Sequence, residues 1–161
     1  MNILIIDDDY IKKEMLRFHL LNIYPDANIR WFNNYQDAIM FIDDNHDFID
    51  YIVLDWCFPY NSSGRAKYGM GRQILAYMKM QNYDNKVIIC SSDIVSIDDN
   101  EYSNVTGSII YDGPDALHNS LLNALNENKV KEDVKVRSLR PPVQENTGYK
   151  RRKSSTPWWM K

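Results

Sequence analysis

The chain has 161 residues, 44% of them hydrophobic and 25% charged, with a formal net charge of −3. That length suits one cohesive domain plus an extension, and no stretch approaches the roughly 20 consecutive apolar residues of a membrane-crossing helix. Cys57 and Cys90 lack metal-type spacing, and "MNILII" runs directly into aspartates without the basic flank of a signal peptide, so a cytoplasmic address is expected.

The charge is unevenly divided. Residues 129–161 hold ten Lys or Arg against Glu132, Asp133 and Glu145, a balance of +7 that leaves −10 for residues 1–128. An acidic domain over 1–128 is expected, followed by a basic extension over 129–161 that is helical at first and then disordered.

In chain order, "NILII" (2–6) is a short β-branched run expected to be a buried strand. The following "IKKEMLRFHLLNIY" places Ile11, Met15, Phe18 and Leu21 at helical spacing, which predicts a helix packed through those residues and closed at Pro25. "NIRWF" reads as a second strand. "YQDAIMFIDD" reads as a second helix, with Ala38, Ile39, Phe41 and Ile42 on its apolar side. "YIVLD" (51–55) is a third strand, and a loop containing Gly, Asn and Ser runs from Trp56 to about Met70. "RQILAYMKM" predicts a third helix, "KVIICSS" a fourth strand and "GSIIY" a fifth. A short crossover helix is expected within "DIVSIDDNEYSNV", and Leu117, Leu121, Leu122, Leu125 and Val130 mark the side of a terminal helix that Pro141 and Pro142 must end.

Strands alternating with helices imply an α/β fold, a doubly wound five-stranded parallel sheet covered on both faces. Ligand sites in such sheets lie beyond the carboxyl ends of the strands, where Asp7, Asp8, Asp55, Ser91 and Gly113 all emerge. Carboxylates gathered there repel one another, and a hard divalent cation such as Mg²⁺, which prefers oxygen ligands, relieves that cost.

Four separated elements in order, "LIIDDD", "YIVLDWCFP", "KVIICSSD" and the strand leading to "GP", resemble the receiver domain of two-component response regulators over residues 1–128. The resemblance implies a flavodoxin-like sheet of strand order 2-1-3-4-5. It implies Asp55 as phospho-acceptor, Mg²⁺ held by Asp7, Asp8, Asp55 and the backbone carbonyl of Cys57, and Ser91 as the hydroxyl that meets the phosphoryl group. The position at which the family carries a lysine falls on Gly113. Against the family the segment after Trp56 also holds an insertion of about eight residues, whose Arg65 or Lys67 is a candidate to replace that missing cation.

The tail segment "YKRRKSSTPWWMK" interleaves Lys150, Arg151, Arg152 and Lys153 with Trp158 and Trp159. This pattern suits nucleic acid, an anionic membrane surface or a partner pocket that accepts tryptophan. No GxxxxGK[ST] phosphate loop and no helix-turn-helix is evident. The expected function is that of a stand-alone atypical receiver acting through protein contact, with a histidine kinase or phosphotransfer protein as partner and a homodimer as a further expectation. The alternative is a phosphorylation-independent adaptor whose tail binds a protein or nucleic acid. A small phosphatase using Asp55 as nucleophile is the third reading.

Overall fold

A computed structural model describes residues 1–93, 95, 102–113 and 117–126. Five parallel strands form the sheet: β1 (Asn2–Ile6), β2 (Asn28–Phe32), β3 (Tyr51–Leu54), β6 (Lys86–Ser91) and β7 (Val105–Ile110), in the order β2-β1-β3-β6-β7. This is the expected 2-1-3-4-5 order. Three described helices connect or flank them: α1 (Tyr10–Ile23), α2 (Tyr35–Asn45) and α3 (Met70–Gln81), with a fourth, α4, covering 117–126. The crossover expected between β6 and β7 falls largely outside the described residues, as do Pro114 and everything after 126.

The central strands read as unbroken apolar runs because both of their faces are covered. Alternate side chains feed two cores. Leu4, Ile6, Ile52, Leu54, Val87 and Ile89 pack with α2 and α3, whereas Ile3, Ile5, Val53, Ile88 and Cys90 pack with Leu16 and Leu20 of α1 and Leu117, Leu121 and Leu125 of α4.

The first helix departs from expectation. Ile11 is 71% exposed and Phe18 57%, while the buried side chains of α1 are Lys12, Leu16 and Leu20. Residues 12, 16 and 20 form their own i, i+4 row, and that row, not the one through Ile11, Met15, Phe18 and Leu21, turns most fully toward the sheet. The long segment after Trp56 is also more ordered than a loop. β4 (Cys57–Pro59) pairs antiparallel with β5 (Ala66–Tyr68), around a turn in which the Gly64 N–H donates to the Asn61 carbonyl at 3.0 Å. Asn first and glycine fourth is a common β-turn sequence. The hairpin docks on α2: the Tyr60 ring stacks on Tyr35 with centroids 5.3 Å apart, and the Gln36 N–H donates to the Tyr60 carbonyl at 3.0 Å.

Candidate acid pocket

The three consecutive aspartates after β1 have separate tasks. Asp9 caps α1, its carboxylate accepting from the Ile11 and Lys12 N–H groups at 2.8 and 3.1 Å. Asp8 is exposed. Asp7 is buried at 1% exposure, and its Oδ1 accepts from the Asp9 N–H at 2.9 Å. Its backbone carbonyl accepts from Trp31 Nε1 at 2.6 Å, which ties the end of β1 to the neighbouring strand β2.

Asp55 follows β3, which lies beside β1, so the sheet itself brings it to Asp7. The Asp55 N–H donates to the Ile6 carbonyl at 2.8 Å, and its Oδ2 accepts from the Cys57 N–H at 3.2 Å. One oxygen from each of Asp7, Asp8 and Asp55 lies within 4.8 Å of the others. Three hard carboxylate donors at this separation fit a small divalent cation such as Mg²⁺, which accepts one or two carboxylates and retains water elsewhere.

A cation already stands among them. Lys12 Nζ lies 2.8 Å from Asp7 Oδ2 and 2.8 Å from Asp55 Oδ1, with its side chain 3% exposed. Burial works against the ammonium charge, but the two carboxylates outweigh it and raise Lys12 above the usual lysine range. Burial also lifts the Asp7 carboxyl to about 6, a rise that Lys12 opposes and the charge of Asp55 increases. Asp8 is raised as well, chiefly by partial burial.

Closing the site from behind is Gly71. A Cβ there would stand 2.5 Å from the Asp55 carbonyl oxygen and 3.2 Å from Trp56 Cα, so the first turn of α3 reaches the strand end only because position 71 has no side chain. The sequence marks Gly71 as the glycine that opens this helix. The N-cap is in fact Gly69, at φ +80°, and Gly71 supplies close approach instead.

Ser91 ends β6 and is buried, its Oγ accepting from the Asp93 N–H at 3.4 Å and its carbonyl from the Tyr111 N–H at 2.8 Å. Gly113 has φ +102°, a backbone region that side-chain-bearing residues rarely adopt, and nothing lies within 4 Å of where its Cβ would be. Arg65 and Lys67 are exposed on the hairpin, and among the described residues neither forms an ion pair with Asp7, Asp8 or Asp55. The charge that contacts Asp55 therefore comes from α1, a residue the sequence reading passed over. Its available signal was the 12/16/20 row, which leads an apolar stripe directly into the aspartate cluster. Lys150, Arg151, Arg152, Lys153, Trp158 and Trp159 lie outside the described residues.

A cleft of about 690 Å³ lies at the opposite, amino-terminal end of the strands, lined by residues including Met1, Asp50, Asn85 and Lys86. It shares none of the carboxylates of the acid pocket. No helix among the described residues is long and apolar enough to cross a membrane.

No protein-family model and no curated protein matches the chain. Solved structures do. A signal receiver domain from Clostridium thermocellum is 20% identical, covering 77% of this chain and 96% of its own, with a TM-score of 0.56. The CheY-like receiver domain protein of Methanospirillum hungatei is 17% identical over 85% and 97% of the two chains, with a TM-score of 0.56. A Burkholderia pseudomallei response regulator, solved with a phosphorylated aspartic acid, calcium ion and citrate, is 15% identical over 84% and 74%, with a TM-score of 0.57. With its strand order and the placement of its acid cluster at the ends of β1 and β3, the chain has the fold of the response-regulator receiver domain.

Proposed function

We propose that this chain is a receiver that accepts a phosphoryl group on Asp55 and signals by protein contact. The observation that carries the reading is the convergence of Asp7, Asp8 and Asp55 within 4.8 Å at the carboxyl ends of two adjacent parallel strands. Fold alone does not specify chemistry. The donor set supports it, together with the phosphorylated aspartate and calcium ion seen in the Burkholderia protein of the same fold.

In this reading a carboxylate oxygen of Asp55 attacks the phosphorus of a small phosphoryl donor. The new bond is O–P, and the bond from phosphorus to the donor's leaving group breaks with its electron pair departing on that group. Asp7, Asp8, Asp55 and the Cys57 carbonyl are the groups that would hold Mg²⁺, which when bound neutralises charge on the phosphoryl oxygens. The Cys57 N–H orients Asp55 by fixing its Oδ2. Ser91, at the end of the next strand, is the hydroxyl assigned to the phosphoryl group. The partners in this reading are a kinase or phosphotransfer protein, with the basic tail as a second contact.

The test is intact-protein mass after incubation with an acyl phosphate and Mg²⁺. The expected result is a single phosphoryl adduct on the wild-type chain that Asp55→Asn does not acquire. An adduct that persists in Asp55→Asn, or no adduct where an ordinary receiver is labelled, refutes the assignment. The second outcome favours the adaptor reading, whose support is that Lys12 already balances part of the charge of the acid pocket.

A further inference from the structure

The oxygens of the two buried carboxylates are all engaged by the chain's own groups. Asp7 Oδ1 is held by the Asp9 N–H and Oδ2 by Lys12, while Asp55 Oδ1 is held by Lys12 and Oδ2 by the Cys57 N–H. A divalent cation bound to these residues must approach oxygens to about 2.0–2.6 Å, depending on whether it is Mg²⁺ or Ca²⁺. Lys12 Nζ is already seated 2.8 Å from one oxygen of each. Two cations do not share that space at the same oxygens without strong repulsion.

We propose that Lys12 is a resident counter-ion of the acid pocket that competes with the divalent cation, so that metal entry requires the ammonium to leave Asp7 and Asp55. The inference rests on the reading that this pocket takes a divalent cation, and it adds the residue that sets the pocket's affinity. Lysine suits the task because its charge rides on a flexible four-carbon stem, so the ammonium can move while α1 stays packed. The Tyr111 ring offers a second resting place, with its centroid 5.7 Å from Nζ. Aromatic faces attract ammonium groups at about this range. Lys12 is thus a positioning residue for the metal site, distinct from the nucleophile Asp55.

The test compares the full-length wild-type chain with Lys12→Met, which keeps an unbranched stem of similar length and removes the charge. Mn²⁺ binding is followed by the electron paramagnetic resonance of the free ion, and thermal unfolding is recorded with and without Mg²⁺. Lys12→Met is expected to bind Mn²⁺ at least about tenfold more tightly and to gain more thermal stability from Mg²⁺ than wild type does. A Lys12→Met chain that neither binds Mn²⁺ more tightly nor gains more stability overturns the proposal, including one that stays unfolded with metal present.

A second measurement on the wild-type chain separates displacement from a mere change in local field. Lys12 is acetylated with a small reagent, and its peptide is weighed with and without saturating Mg²⁺. Protection that is lost on metal binding is the expected result, whereas protection that persists at saturation shows the cation binding beside Lys12 and overturns the proposal. These readouts do not use the phosphoryl adduct. Tighter metal binding by Lys12→Met with no adduct on either protein therefore sinks the Asp55 reading alone, and an adduct with unchanged metal affinity sinks the Lys12 proposal alone.

Discussion

Replacing Gly71 with alanine sets two effects of opposite sign against each other. Gly71 lies in the first turn of α3, where alanine gains about 1 kcal/mol from helix propensity. Against this, the added Cβ would stand 2.5 Å from the Asp55 carbonyl oxygen, 3.0 Å from a ring carbon of Trp56 and 3.2 Å from Trp56 Cα. Two of these neighbours are backbone atoms, and Trp56 is buried, so none gives way cheaply. Overpacking of this kind costs about 1–3 kcal/mol, and a helix pushed off the strand end also loses the hydrogen bond from the Gly71 N–H to the Trp56 carbonyl, about 1 kcal/mol more. The clash wins, leaving a net loss of about 2 kcal/mol, or roughly 5–10 °C in the unfolding midpoint of a domain this size. Urea or thermal unfolding checks the value. Gly69→Ala is the control, because Gly69 has φ +80° but nothing within 4 Å of its missing Cβ, and should cost about 1 kcal/mol from backbone strain alone. Because Gly71 bears on the main chain of Asp55, Gly71→Ala should also slow phosphoryl labelling, and Gly69→Ala should not. A Gly71→Ala protein as stable as wild type, with labelling unchanged, refutes the close-approach argument.

Asp7 gives a prediction in pH. Its folded-state carboxyl is raised from 3.8 to about 6, so between those values the folded chain binds a proton that the unfolded chain has released. Its contribution to stability is therefore present below about pH 4 and is lost as pH rises toward 6, by about 3 kcal/mol in total. Urea unfolding across this range should show the wild-type chain losing stability relative to Asp7→Asn as pH rises, and a flat difference contradicts the assignment. At Gly113, φ +102° predicts that Ala and Lys each cost about 1–2 kcal/mol. A Lys substitution that leaves unfolding unchanged while Ala destabilises would show that a cation there gains a contact large enough to offset the backbone cost.

The β-sheet was legible because β1, β3 and β6 are buried on both faces and so appear as continuous apolar runs ending at Asp7, Asp55 and Ser91. Strand ends aligned by a parallel sheet then bring those residues to one edge of the fold. Lys12 was not legible. Helix α1 carries two candidate stripes, one through Ile11, Met15, Phe18 and Leu21 and one through Lys12, Leu16 and Leu20, and hydrophobicity alone favours the first. What reverses the choice is a long-range electrostatic fact, the pair of carboxylates waiting at the end of the second stripe, one of them 43 residues away. The hairpin after Trp56 was missed for a related reason. Its three-residue strands are too short to show a period, and they are fixed by the docking of Tyr60 on Tyr35. Gly113 was read from the sequence as the place of a missing charge, whereas its φ supplies a backbone reason for glycine that no composition shows.

The Lys12 triad also constrains the order in which the chain assembles. An ammonium or a carboxylate taken out of water alone is far costlier than the same group taken out with its partner. Asp7 and Lys12 are near neighbours in sequence, but Asp55 arrives only when β3 has paired with β1. Dehydration of the three groups is therefore bound to the closing of that strand pair and the seating of α1. A compact intermediate that packs α1 on the sheet before β3 is in register leaves Lys12 one carboxylate short. The acid pocket thus acts as a checkpoint on folding, penalising collapse that runs ahead of correct strand pairing.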